Sequence, residues 1–192
     1  MSVPTIVSSQ HVFFVEPERA SDAEAREHLL DRAMGPARKR KSSEKLRGGM
    51  QPSAGLALVS RDKTGGLIGS VRLWNIAAGD TALLLLGPLA VDQALAGCGV
   101  GSALMQEAIT RASRANHGAI ILVGDPAYYH RFGFRAEKTV GLKMPGPVER
   151  HRLLGLELKP GYLAGAAGLL KAQTPGMPQQ TQVNPALLEQ AA

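Results

Sequence analysis

Between Ala96 and Ser102 the chain reads Ala-Gly-Cys-Gly-Val-Gly-Ser. Glycine at every second position lets the backbone turn sharply and approach a ligand with no Cβ atoms in the way. An apolar run ends just before this turn and an amphipathic helical pattern starts just after it. The free amides of a helix start converge on one spot, backed by the positive end of the helix dipole, and such a spot suits phosphate or pyrophosphate. A chain with 22 glycines also places glycine in turns for local reasons, so the glycines alone do not decide. Two familiar phosphate sites are set aside by spacing. No Gly-Lys-Ser/Thr follows, so the turn is not a P-loop. The dinucleotide fingerprint needs a third glycine where Ser102 stands, and the chain lacks room for two βαβαβ halves.

Other reactive side chains offer less. Cys98 is the single cysteine; at a variable position of the turn it reads as a filler, although a thiol near helix amides can have a low pKa. The five histidines, His11, His28, His117, His130 and His151, show no pair at ligand spacing and no neighbouring cysteine pair, so no metal site is expected. Ser102 can cap the helix or touch a phosphate, and capping is the simpler reading. Trp74 reads as core or as the wall of a substrate cleft. The basic run Arg38-Lys39-Arg40-Lys41, with Lys45 beyond it, reads first as a solvated charge run.

These residues need a scaffold. Val12 to Val15 is a short first strand. Ser21 with Glu24 three residues on matches a capping box for a helix carrying Leu29, Leu30 and Ala33 on one face, stopped by Gly35-Pro36. A short second helix is expected within Ala37 to Leu46. Leu56 to Val59 and Leu67 to Trp74 form a β pair across the turn-rich segment 61–66. Ala82 to Val91 is apolar on both faces, as in a strand inside a sheet, and Pro88 predicts a bulge there. Val100, Ala103, Leu104, Ala108 and Ala112 recur at helical spacing up to about Asn116, and Ala119 to Val123 is the next strand. Strand, turn, helix and strand form a βαβ unit with parallel strands. Tyr128 to Phe132 is a short helix, and Gly141 to Met144 and Leu153 to Leu158 are two further strands around Pro145-Gly146-Pro147. From about residue 172 to residue 192 the composition turns to Gln, Pro and Ala, which predicts a disordered tail.

Composition narrows the classes. The chain has 192 residues, 44% of them hydrophobic, which fits one ordinary domain with a sizeable core. Aromatic residues make up only 4%, which argues against a stacking platform for single-stranded nucleic acid. A net charge of +6 suits an anionic ligand without choosing one. One cysteine, no visible signal peptide and no apolar run long enough for a bilayer lead to the expectation of a cytoplasmic protein without a membrane partner.

The run from Leu86 to Phe134 resembles the GNAT superfamily of CoA-dependent N-acetyltransferases. Gly87-Pro88-Leu89-Ala90-Val91-Asp92 is similar to that family's fourth strand with its bulge. The family's pyrophosphate motif, Arg/Gln-x-x-Gly-x-Gly/Ala, falls on Ala96 to Gly101. Tyr129-His130-Arg131-Phe132-Gly133-Phe134 matches its Tyr-x-x-x-Gly-Phe signature. One departure is Ala96, where the family usually has Arg or Gln; the binding amides are backbone, so the change removes only a side chain that could hold the loop. The segment Gly124 to Tyr129 and the Pro-Gly-Pro loop look like a bacterial subgroup of uncharacterised acetyltransferases. The resemblance spans residues 10–165.

It implies an α/β (α+β) fold: a mixed central sheet of six to seven strands, splayed between its fourth and fifth strands and flanked by about four helices. It also implies acetyl-CoA as co-substrate, an amine acceptor (small molecule or peptide) and direct attack in a ternary complex. Leu89, Ala90 and Val91 would offer backbone groups to the pantetheine arm, and Gly97, Cys98, Gly99, Val100, Gly101 and Ser102 would hold the pyrophosphate. Tyr129 is at the position of the acid that protonates the departing thiolate, with Tyr128 beside it as a rival; a phenol of reference pKa about 10 keeps its proton at pH 7. The Ala82 to Val91 strand has no carboxylate to act as a base, leaving Asp80, Glu157 and His130 as candidates. In this architecture the basic run lies near the acceptor entrance and would favour an acidic substrate. Two alternatives are an inactive acetyl-CoA-binding regulator and a basic-surface module binding nucleic acid or protein. A homodimer is one of the assemblies that the resemblance leaves open.

Overall fold

Leu67 to Ala78 buries most of its side chains on both faces, as expected of a strand inside a covered sheet. It is the spine of the computed structural model, which describes residues 4–8 and 11–173. The strands are β1 (Pro4–Ser8), β2 (His11–Pro17), β3 (Ala57–Asp62), β4 (Leu67–Ala78), β5 (Thr81–Val91), β6 (Ala119–Val123), β7 (Leu142–Lys143), β8 (Leu153–Glu157) and β9 (Gly168–Ala172). The helices are α1 (Ala23–Met34), α2 (Val100–Arg114) and α3 (Pro126–Tyr129), with several short 3-10 turns. The sheet runs β1-β2-β3-β4-β5-β6-β8, and β9 pairs with the far end of β4 and with β7. Among the described residues only β5–β6 and β7–β9 are parallel. The mixed sheet is the expected one, and the described residues extend it with β1 and β9. The second of these lies past residue 165, so Ala172 belongs to a strand. The rest of the expected tail, from residue 174, lies outside the described residues.

The bulge at Pro88 is present and sets the side-chain phase of β5. From Val71↔Leu89 to Leu73↔Leu86 the register slips by one residue, placing the extra residue in β5 opposite Arg72. Side chains alternate along a strand, so one extra residue inverts the alternation. Before the bulge, Leu84 and Leu86 pack under α2 with Leu104 and Ala108, while Leu83 and Leu85 join Trp74 and Ile76 on the opposite face. After it, Leu89 and Val91 lie on the α2 side, and Ala90 meets Leu29 and Leu30 of α1. The helical spacing read for α2 is realised: Val100, Ala103, Leu104, Ala108 and Ala112 are all buried.

Three expectations for the N-terminal third are corrected. The chain makes a 3-10 turn over Ala20–Asp22 before α1 begins, so Ser21 sits inside that turn and does not form a capping box with Glu24. Asp22 instead accepts from the Arg19 amide at 2.8 Å and from Arg61 Nη2 at 2.5 Å, joining the entry of α1 to β3. The basic segment forms two 3-10 turns, Pro36–Arg40 and Ser42–Leu46, in place of one helix. Arg38 is not solvated: it is buried, paired with Glu27 and with Asp31 Oδ1 at 2.8 Å. Glu27 also pairs with Arg26, which shares Glu18 with Arg72. This chain of charges ties the basic turn through α1 to β4.

Candidate active site

Parallel pairing between β5 and β6 is short. It comprises Leu84↔Ile120 and Leu85↔Ile121, and among the described residues no pair follows. Beyond that point β5 stays on β4 up to Val91↔Gly69, and β6 stays on β8 up to Val123↔Leu153. The facing edges from Leu86 to Val91 and from Leu122 to Val123 thus part. Backbone groups of a strand point alternately to its two edges, so β5 presents unpaired amides and carbonyls to this gap.

At the mouth of the gap lies the glycine turn. Gly99 is the N-cap of α2 with φ +85°, a conformation an L-residue adopts only under strain. The first bond into α2 runs from Ala103 N to Gly99 O at 3.0 Å, so the amides of Val100, Gly101 and Ser102 precede the ladder. A Cβ placed on Gly101 would stand 3.5 Å from Val91 Cγ2, so the end of β5 and the start of α2 adjoin. Leu89 and Val91, partly buried, turn their side chains toward α2, Ala90 faces α1, and Val100 is buried. Cys98 and Ser102 are partly exposed, and the Cys98 amide is bonded to Leu95 O at 3.1 Å.

The structure separates the two tyrosines that adjacency in sequence leaves tangled. Asp125 caps α3 by accepting from Ala127 N at 3.0 Å, and the two rings that follow on the short helix take different neighbours. Tyr128 reaches the glycine turn: its hydroxyl bonds to Ser102 and lies 2.8 Å from where a Cβ on Gly101 would be. Arg131 sits 4.6 Å over the Tyr128 ring. Tyr129 packs on Gly124, just past the end of β6, where a Cβ would fall 2.1 Å from Tyr129 Cε2; only glycine leaves room for the ring. Its ring meets Tyr128 edge-on at 4.9 Å and Phe134 at 6.0 Å. Burial pushes the Tyr129 phenol up to about 12, with Tyr128 adding to the rise and Arg152 opposing it. The group therefore holds its proton throughout the neutral range.

Across the gap stand residues the sequence reading missed. Arg47 follows the second 3-10 turn and is 9% exposed, with Nε donating to Glu44 Oε2 at 2.7 Å. Its Nη1 lies 3.6 Å from where a Cβ on Gly87 would be, directly at the bulge. Trp74 Nε1 donates to the Gly87 carbonyl, so Trp74 is core and also the wall behind the bulge. The one hint of Arg47 in the sequence is the Glu44-Arg47 spacing of three, common on any exposed turn. Arg152, beside Gly124 with its amide oxygen accepting from Gly124 N at 3.0 Å, gave no signal at all.

The candidate bases are not gathered at the gap. Asp80 lies in the exposed turn between β4 and β5, and Glu157 opposes Ala119 at the other end of β6. Lys138 and the Leu163 amide occupy the Glu157 carboxylate at 2.5 and 2.8 Å and hold its pKa below the usual range. His130 is exposed on the turn after α3. Among the described residues no group of three or more His, Cys, Asp or Glu converges as a metal site requires, and no helix is long and apolar enough to cross a membrane.

Known proteins resemble this chain in sequence and in fold. The family model of the acetyltransferase (GNAT) domain matches residues 53–136, the stretch from just before β3 to just past Phe134. An uncharacterised N-acetyltransferase of Escherichia coli K12, YhbS, is 30% identical over 118 residues, covering 60% of this chain and 71% of its own. The crystal structure of YhbS from Escherichia coli in complex with CoA superposes with a TM-score of 0.75 at 26% identity, over 88% of this chain and 94% of that one. A GNAT family acetyltransferase from Brucella melitensis, crystallised with acetyl-CoA, has a TM-score of 0.61 at 23% identity, over 79% and 91%. On its sequence relationship and its fold together, the chain belongs to the GNAT family of acetyltransferases.

Proposed function

We propose that this chain is an N-acetyltransferase that moves the acetyl group of acetyl-CoA to a primary amine by direct attack in a ternary complex. The observation that carries the reading is the parting of β5 from β6 after Leu85, with the unpaired amides of α2 at one end of the gap and Tyr129 past the end of β6. The reading is supported by the relationship to YhbS, whose crystal structure contains CoA.

In this reading the pyrophosphate lies on the amides of Val100, Gly101 and Ser102, in the turn opened by Gly97, Cys98 and Gly99. Tyr128 holds the Ser102 side of that turn. The pantetheine arm takes the place of a strand beside Leu89, Ala90 and Val91, bonding to backbone groups that β6 leaves unpaired. The thioester then lies at the bulge. The amine nitrogen attacks the carbonyl carbon; a C–N bond forms and the C–S bond breaks. Backbone amides near the bulge stabilise the oxyanion. The thiolate takes a proton from Tyr129, and the amine gives its own to water. The products are an acetamide and CoA.

The test is a CoA-release assay over a panel of amines, followed by initial velocities at varied acetyl-CoA and amine. Intersecting lines support the ternary complex. Parallel lines, with acetyl-labelled protein recovered in the absence of amine, contradict it.

A further inference from the structure

We propose that Arg47 recognises a carboxylate on the acceptor, so that the amine acetylated here belongs to an amino acid or a comparably short acidic molecule; this rests on the acetyl-transfer reading above. Arg47 is a nearly buried guanidinium with unused donors. Its side chain is 9% exposed, Glu44 engages Nε alone, and no acceptor for Nη1 or Nη2 occurs among the described residues. Nor are those nitrogens among the fully sealed unpaired atoms, which among the described residues are Ser60 Oγ and Ser70 Oγ, so they open onto accessible space. A guanidinium removed from bulk water and left with free donors is costly unless a ligand or water completes it. The free outer edge is also the edge that takes a carboxylate with two parallel hydrogen bonds.

Its position gives that carboxylate a purpose. Nη1 is 3.6 Å from the Cβ position of Gly87, in the bulge where β5 leaves β6 and where the thioester lies in the present reading. An acceptor anchored on Arg47 would bring its amine to the thioester only if the two groups are separated by one or a few carbons. Trp74 cannot compete for the ligand, since its one donor is spent on the Gly87 carbonyl. Ser42 and Lys45 of the same turn bind the carbonyls of Pro147 and Pro145 at 2.6 and 3.2 Å, which fixes the β7–β8 loop against the segment that carries Arg47. The exposed Lys39, Arg40 and Lys41 lie just upstream and would draw an anion toward this side.

The experiment uses the full chain, acetyl-CoA as donor, and a panel of L-amino acids, each beside its amide and its decarboxylated amine. At least one free acid is expected to exceed both partners by about tenfold to a hundredfold in kcat/KM, the range of a charge-assisted hydrogen-bond pair. Arg47→Gln should bring that acid down to the level of its amide through KM, with acetyl-CoA affinity retained; Arg47→Lys should keep part of the preference. The proposal is overturned if amides or simple amines serve as well as acids, or if Arg47→Gln slows all three alike. It is equally overturned if the variant changes only the choice between acetyl-CoA and succinyl-CoA, which would put the carboxylate on the acyl group. A chain that binds acetyl-CoA but acetylates no free acid also overturns it, whereas one that binds no acetyl-CoA removes the reading beneath it. Should Arg47→Gln fail to fold, the comparison of acid with amide on the unaltered protein decides.

Discussion

Replacing Tyr129 by Phe removes one oxygen and leaves the ring in place. The ring carries the packing: it fills the space over Gly124 and touches Tyr128 and Phe134. The hydroxyl donates to no partner among the described residues, so its loss strands no protein group. At neutral pH stability should therefore change by less than about 0.5 kcal/mol, as for a substitution that breaks no contact. Turnover is a different matter. A positioned acid contributes about 10² to 10⁴ in rate, or roughly 3 to 5 kcal/mol of barrier, and kcat should fall by that factor with acetyl-CoA affinity unchanged. The same variant has an alkaline signature. A phenol raised from 10 to about 12 in the fold contributes stability that is complete below pH about 10 and is lost as pH rises toward 12. The unaltered protein should thus lose up to ~3 kcal/mol across that window, and Tyr129→Phe should be spared it. The assay is CoA release with the best amine of the panel, run beside Tyr128→Phe, whose defect should appear in acetyl-CoA binding because its hydroxyl bonds to Ser102. A Tyr129→Phe enzyme with unchanged kcat, while Tyr128→Phe loses turnover, would refute the assignment.

Gly99→Ala places a Cβ at φ +85°, which costs about 1–2 kcal/mol, and should raise the acetyl-CoA Kd several-fold in calorimetry; an unchanged Kd would separate the turn from the cofactor. Glu157→Gln should leave kcat intact while lowering stability by about 1–2 kcal/mol at pH 7. Because the Glu157 pKa is depressed, mainly by Lys138, its contribution is present above the usual carboxylate pKa and lost as pH falls below it; acid melts of the variant should be correspondingly flatter. Glu18→Gln leaves Arg26 and Arg72 without the carboxylate they share, 5% exposed, and chemical denaturation should register a loss of about 3–5 kcal/mol.

The sheet and α2 were legible because their signals are local. The Val100 to Ala112 spacing, the five apolar residues from Ala119 to Val123 and the proline within β5 each speak for themselves, and each has its counterpart in the fold. The glycine turn was legible for the same reason, since consecutive backbone positions build it. The rest of the gap was not. Arg47 gains its meaning from Gly87, forty residues away in a different element, and nothing in either residue alone announces that contact. Arg38 looked solvated because its partners Glu27 and Asp31 lie one helix earlier, and only the reversal at Gly35 brings them together. Neither Tyr128 nor Tyr129 could be given a direction from sequence; the Asp125 cap and the bare Gly124 decide it. Missing Ala172 as strand has a similar cause, since Lys171 and Ala172 pair with β4 through backbone bonds that composition does not reveal.

The central claim is that the gap between β5 and β6 holds acetyl-CoA, and calorimetric titration of the full chain with acetyl-CoA, beside CoA and ADP, tests it most directly. Micromolar binding of acetyl-CoA and CoA, far weaker binding of ADP, and a ligand-dependent rise in Tm are the predicted result. No binding of acetyl-CoA at millimolar concentration would contradict it, and would mean that the turn from Ala96 to Ser102 keeps the shape of a cofactor site without its function.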